Sequence, residues 1–219
     1  MRQTQAGAMT CARKMAMAAV IGWGAASAAS ADVVAHWNFN GFVPETGTVA
    51  ATVGTGSFDF RGVLGGTSSM GGTVLNGLTG AVAGEAFAVV GSAYNGRYVQ
   101  IDFTSLGQPD LSISFATRRS GTGFSNNRVE TLLGGTWTTV ANFNPSSTDW
   151  GVLSFDLVAA GIGAGAASVR LVFDGATSSV GSVRIDNLSV MGTPVPGPGA
   201  LSVAALATAV AGRRRRRPA

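Results

Sequence analysis

The sequence predicts an all-β protein: a two-sheet antiparallel jelly-roll-like sandwich, preceded by a signal peptide and followed by a short apolar helix with an arginine cluster. Three observations lead there. Between residues 32 and 192 the apolar residues recur with period two, and no stretch of useful length has helical period. The spacers are rich in Gly, Ser, Thr and Asn, and the chain of 219 residues holds 32 glycines, about twice the usual ~7% share. Charged residues are only 12% against about 25% in typical domains, which excludes a charged disordered chain, and the absence of heptads excludes a coiled coil.

The elements follow in order. Residues 33–40 (VVAHWNFN) open the domain. In 97–103, Val99, Ile101 and Phe103 share one face, while Tyr98, Gln100 and Asp102 share the other. Leu111, Ile113 and Phe115 alternate with serines, and Leu153, Phe155 and Leu157 alternate with Ser154 and Asp156. Val169, Leu171 and Phe173 line the next strand, and Val183 and Ile185 begin the last. After Asp186-Asn187 the apolar parity moves to Leu188 and Val190, which predicts a bulge or edge crossing. Weaker patterns predict strands near 57–61, 73–78, 86–90, 126–133 and 136–143, with Gly-rich loops or irregular edges at 62–84 and 159–167. About ten short strands fit a sandwich better than any α/β arrangement.

The ends are of a different kind. Arg2, Arg13 and Lys14 precede an apolar run at 15–26, and Ala29-Ser30-Ala31 fits an A-x-A cleavage pattern. Residues 1–31 thus read as a signal peptide, 32–192 as the folded body and 193–219 as a tail. In that tail a proline-rich turn leads into ALSVAALATAVAG (200–212) and then Arg213 to Arg217. A 13-residue helix would reach about 20 Å, short of the roughly 30 Å hydrocarbon core, and the arginines would stay on the cytoplasmic side. The arrangement predicts transient inner-membrane anchoring by the tail.

The two ends also dominate the charge. The body carries seven arginines, no lysine and all eleven acidic residues, a net charge of −4, although the whole chain is +4. The basic run therefore belongs to the tail, and no nucleic-acid partner is expected. The single cysteine, Cys11, lies in the leader and excludes a disulfide scaffold or a Cys-based zinc site.

Val195-Pro196-Gly197-Pro198-Gly199, the short Ala/Leu/Val helix, and Arg213, Arg214, Arg215, Arg216 and Arg217 together resemble a PEP-CTERM sorting signal. Gly197 stands where that family usually has Glu. The resemblance implies export, cleavage after Ala29-Ser30-Ala31 by signal peptidase, and handling of the tail by an exosortase-like membrane protease. Delivery to the cell surface, outer membrane or exterior would follow. The body, with Trp37-Asn38-Phe39-Asn40 at its start, LSISFATRRSGTGFSNN at 111–127 and Arg184-Ile185-Asp186-Asn187 near its end, resembles exported jelly-roll domains of the carbohydrate-binding-module kind. That implies the sandwich, and no particular ligand.

Candidate chemistry is sparse. His36 is the only imidazole, and no G-x-S-x-G elbow presents a nucleophile to it. Glycoside hydrolysis needs two carboxylates about 5–10 Å apart; Glu45, Glu85 and Glu130 are isolated, and Asp174 with Asp186 is the one pair that neighbouring strands would bring together. No cofactor is expected beyond a structural calcium, for which a meeting of first and last strands would supply Asn38, Asn40 or Glu45 beside Asp186 and Asn187. With no clustered D-x-D-x-D-G loop present, local side-chain hydrogen bonds from Asp186 and Asn187 to the bulge backbone are the favoured reading. Sugar stacking would use exposed aromatics: Trp137 and Trp150 flank turns, with Tyr94 and Tyr98 as further rings, and Arg118-Arg119 would suit an acidic polysaccharide. The reading these observations favour is an exported, tail-sorted surface or matrix component without catalytic activity; the alternative is a binding module for exopolysaccharide, and the second alternative a polysaccharide-active enzyme. A row of exposed aromatics favours the binding module, and convergent carboxylates in a cleft favour the enzyme.

Overall fold

The computed structural model describes residues 31–194. The apolar leader run, the tail from Val195 onward and both sorting features lie outside the described residues. Among those described, no helix is long and apolar enough to cross a membrane.

Among the described residues thirteen strands form two antiparallel sheets. They are β1 (Asp32–Trp37), β2 (Thr48–Ala50), β3 (Val53–Gly54), β4 (Gly56–Asp59), β5 (Thr67–Gly71), β6 (Glu85–Val90), β7 (Arg97–Ser105), β8 (Ser112–Arg119), β9 (Asn127–Leu133), β10 (Thr136–Phe143), β11 (Gly151–Asp156), β12 (Gly165–Phe173) and β13 (Ser182–Gly192). The six-stranded sheet runs β10-β9-β12-β7-β4-β2, and the seven-stranded sheet runs β11-β8-β13-β1-β3, with β6 and β5 added beside β13.

β13 organises the larger sheet. Its first half pairs with β6, its second half pairs with β1, and β8 runs along its other edge. The change of partner coincides with a register shift between Asp186 and Ser189, where Asn187 adopts φ 49°. This is the bulge that the parity flip predicts, and it lets Ile185 and Leu188 both face inward.

The core joins Val99, Ile101, Val169, Leu171 and Val129 of the smaller sheet to Ile113, Phe115, Val183, Ile185 and Val190 of the larger. One end is closed by Phe39, Phe42, Phe58, Phe60 and Phe87, whose neighbouring rings lie 5.0–6.3 Å apart in edge-on and tilted pairs.

Two local expectations change. Residues 73–78 form turns and loop, and the strand of this region is β5 at 67–71. The reason is visible in the backbone bonds. Thr73 N–H donates to Asp186 Oδ2, while the carbonyls of Thr73 and Leu75 accept from Asn187 Nδ2, so side chains take the groups that a ladder would need. The Gly-rich stretch 159–167 also shortens, because β12 already begins at Gly165.

Candidate functional site

The outward face of the six-stranded sheet is built by strand alternation. With Val99, Ile101 and Phe103 inward, β7 turns Tyr98, Gln100, Asp102 and Thr104 outward; β12 adds Ser168 and Arg170, and β9 adds Arg128 and Glu130. Register puts Arg170 beside Glu130 on one side and Gln100 on the other.

At the centre of this face Arg170 lies between two aromatic rings. Its Cζ is 4.3 Å from the Trp137 ring and 4.8 Å from the Tyr98 ring, within cation–π range of both. Trp137 sits opposite Leu132 on edge strand β10 and reaches across β9 to Arg170. Both rings stay partly open to solvent, Tyr98 at 38%. The guanidinium is fixed from below by Glu130, which also pairs with Arg128. Glu130 is 5% exposed. Burial alone would raise its pKa, but hydrogen bonds and charge from Arg128 and Arg170 outweigh that and hold it below the ordinary value. Next along the face, Asp102 accepts from Gln100 Nε2 at 2.9 Å and from Ser168 Oγ at 2.6 Å. The result is an aromatic–guanidinium strip flanked by fixed polar groups whose charges are largely neutralised among themselves.

The other candidate residues lie elsewhere. Trp150 is half-buried at the far end of the β10–β11 crossover, directly before β11 of the seven-stranded sheet, whereas Trp137 lies on β10 of the six-stranded sheet. Arg119 is engaged structurally: it donates to Asn144 Oδ1 and to the carbonyls of Pro145, Ser120 and Gly121, pinning that crossover. Arg118 faces outward from the larger sheet, cross-strand from Arg184. The structure thus brings neither Arg118, Arg119 nor Trp150 to Trp137. Tyr98 and Arg170 join it instead. Tyr98's outward parity was readable in 97–103, whereas Arg170 is placed by register between strands about 70 residues apart in sequence.

The proposed calcium ligands are likewise distributed among local bonds. First and last strands do adjoin. Yet Asn38 Oδ1 accepts from Asn40 N and Thr52 Oγ1, and Asn40 Oδ1 accepts from Glu85 N. Asp186 accepts from Thr73 N and Asn187 N at 2.7 and 2.8 Å, and Asn187 turns its amide donor toward the loop carbonyls. Glu45 sits in a turn of the β1–β2 connection. Among the described residues no group of three or more His, Asp or Glu side chains is arranged to hold a metal.

Neither carboxylates nor histidine form a hydrolytic constellation here. Asp174 directly follows β12 of one sheet, and Asp186 lies on β13 of the other. A concavity of about 520 Å³ between edge strands β10 and β11 contains one carboxylate, Asp156, whose Oδ1 accepts from Ala159 N. His36 Nδ1 meets Ser189 Oγ at 2.7 Å, but Ser189 is 1% exposed, sealed from any substrate carbonyl.

No family model matches the sequence, and no curated protein matches it. Solved structures resemble it in topology. One is the CBM22-1 xylan-binding domain of Xyn10C from Paenibacillus barcinonensis, 12% identical, covering 78% of this chain and 100% of that one with TM-score 0.45. A second is a mutant of CBM29-2, a family 29 carbohydrate-binding module, complexed with cellulohexaose, 13% identical, covering 74% and 90% with TM-score 0.41. A third is the K2 adhesin domain of Lys-gingipain, 11% identical, covering 59% and 92% with TM-score 0.36. At these values the likenesses carry no argument about ligand.

Proposed function

We propose that this protein is an exported, non-catalytic surface or matrix component whose body binds polysaccharide across the outward face of the six-stranded sheet. The observation that carries the reading is the Trp137–Arg170–Tyr98 strip. Pyranose rings present C–H faces that stack on aromatic rings, and their hydroxyls need donors and acceptors at the rim. Here Gln100, Asp102 and Ser168 supply that rim. The rings are clamped by Arg170, and Arg170 is clamped by Glu130, so little side-chain entropy is lost on binding. Because Arg128 and Arg170 share Glu130, while Asp102 lies alongside, the face suits a neutral chain better than an acidic one.

The test is retardation in native gels containing soluble xylan, mixed-linkage β-glucan or alginate. The wild type is expected to be retarded by a neutral polymer, and Trp137→Ala with Tyr98→Ala together to abolish it. Each ring contributes on the order of 1–3 kcal/mol, about 5- to 150-fold in affinity. Equal mobility of wild type and double variant in every gel overturns the reading.

The exported and sorted part of the proposal rests on the leader and on the Val195–Gly199 and Arg213–Arg217 pattern. It implies signal peptidase and an exosortase-like protease as processing partners. Intact mass from native cells should match a chain starting at Asp32 and ending between Pro194 and Gly199. A mass that retains Arg213 to Arg217 in the inner membrane contradicts it.

A further inference from the structure

The opposite face of the molecule carries a second, unrelated concavity. It is a cavity of about 230 Å³ above β1, with His36, Asn38, Asn40 and Thr52 on its polar side and Leu78 and Val82 of the 72–84 loop among its apolar wall. His36 faces it because Ala35 and Trp37, its strand neighbours, point into the core. His36 is 3% exposed, and its ring has one partner among the described residues, Ser189 Oγ on Nδ1. Nε2 therefore has no partner among the described residues. It is not sealed away either, since Thr131 Oγ1 is the one fully buried side-chain polar atom lacking a partner among the described residues. A distal imidazole nitrogen without a partner, lining a cavity, is an unmet hydrogen-bonding group of a nine-tenths buried side chain.

The neighbouring carboxamides have capacity left. Asn38 and Asn40 use their oxygens for Asn40 N, Thr52 Oγ1 and Glu85 N, and neither Nδ2 has a partner among the described residues. Val53, cross-strand from His36 and 44% exposed, and Val82, 66% exposed, supply apolar lining beside these groups. The cavity falls below the ~300 Å³ lower end for drug-sized ligands, and no carboxylate lines it.

We infer that this cavity binds one pyranose-sized, uncharged polyhydroxylated unit, with a hydroxyl on His36 Nε2 and an apolar edge, such as a deoxy or acetyl substituent, against Val53 and Val82. A hydroxyl suits the site because it both donates and accepts, so it matches either imidazole tautomer. Such a unit could be a free sugar or the end of a chain. The site is independent of the Trp137 face, being on the other sheet, and so it would give the body two separate points of attachment.

The chain has a single histidine, so its imidazole ¹H–¹⁵N signals assign themselves. The full chain is titrated with methyl glucoside, methyl rhamnoside and N-acetylglucosamine to about 50 mM, well above a Kd of ~1–10 mM, and in parallel with a xylan hexamer. At least one monosaccharide is expected to shift His36 Nε2 saturably while leaving the Trp137 indole unmoved. Shifts from monosaccharides alone identify a free sugar, and shifts from the hexamer as well identify chain ends. Val82→Trp, at an exposed position that leaves the fold intact, should weaken the response at least tenfold. The inference is overturned if no sugar gives a saturable His36 shift, or if Val82→Trp responds as the wild type does.

Discussion

The two outward faces of the sandwich treat their polar groups in opposite ways. On the six-stranded sheet the charged residues neutralise one another and leave aromatic surface uncovered: Glu130 is buried beneath Arg128 and Arg170, and Arg170 props Trp137 and Tyr98. On the seven-stranded sheet a loop roofs the polar groups. Residues 72–84 lie over Asp186, Asn187 and Ser189, which are each about 1% exposed. Close approach makes glycine necessary there. A Cβ on Gly72 would stand 2.4 Å from Asp186 Oδ2, and one on Gly84, at φ 43°, would stand 1.7 Å from Asn40 Oδ1. The difference separates two kinds of consequence: changes on the open face should cost binding with little loss of structure, whereas changes to the polar groups beneath the roof should cost structure.

The largest effect should come from the roof. Asn187→Ala removes both donors to the Thr73 and Leu75 carbonyls and places alanine at φ 49°. A loss of about 3 kcal/mol is expected in urea unfolding, together with protease cleavage confined to 72–84. A change under ~1 kcal/mol would mean the roof is not held by this residue.

Next comes the support under the open face. Glu130→Ala leaves two guanidiniums without their shared carboxylate; since Arg128 keeps 35% side-chain exposure, the cost should be about 2 kcal/mol, below that of breaking a fully buried pair. Polysaccharide affinity should fall with it, because Arg170 loses its anchor.

A third test uses pH. Burial raises Asp186 to about 7, against the opposing pull of the Thr73 and Asn187 N–H groups, while its unfolded value is about 3.9. Between those values the folded chain holds a proton that the unfolded chain has released, so this group's contribution to stability is greatest at low pH and declines as pH rises toward 7. His36 acts in the opposite direction. Burial lowers its pKa, so its contribution is lost as pH falls below about 6.5. Comparison with Asp186→Asn cancels the histidine. Wild-type stability relative to that variant should fall by about 1–2 kcal/mol from pH 5 to pH 8, and a flat difference would show that Asp186 does not titrate in this range.

The smallest stability change belongs to the binding surface itself. Trp137→Ala should alter unfolding free energy by less than about 1 kcal/mol, because the ring lies outside the core. A larger loss would make Trp137 a packing residue.

Much of this organisation could be read from alternation, and the limits are physical. Period two placed Val99, Ile101 and Phe103 inside, hence Tyr98, Gln100 and Asp102 outside. The flip after Asp186-Asn187 marked the bulge. Alternation says nothing about register between distant strands, so the meeting of Arg170 with Tyr98 and Trp137 could not be foreseen. Nor could the roof. In 72–84 the backbone bonds to side chains of β13 more than a hundred residues away, and Val74, Leu75 and Leu78 look like a strand when read alone. Trp137 and Trp150 both flank turns, yet only the first lies on the aromatic strip, because turn proximity fixes neither sheet nor strand end.

The most direct test of the central claim uses the tryptophans as reporters. Trp37 is buried and donates its indole N–H to Val49 O at 3.2 Å, Trp150 sits at the crossover, and Trp137 lies on the open face. In a ¹H–¹⁵N titration of the full chain with neutral xylan and β-glucan oligomers, the account predicts a saturable shift of the Trp137 indole and Arg170 Nε, with Trp37 and Trp150 unmoved. A shift at Trp150 with Trp137 still, or no shift with any oligomer, would contradict it.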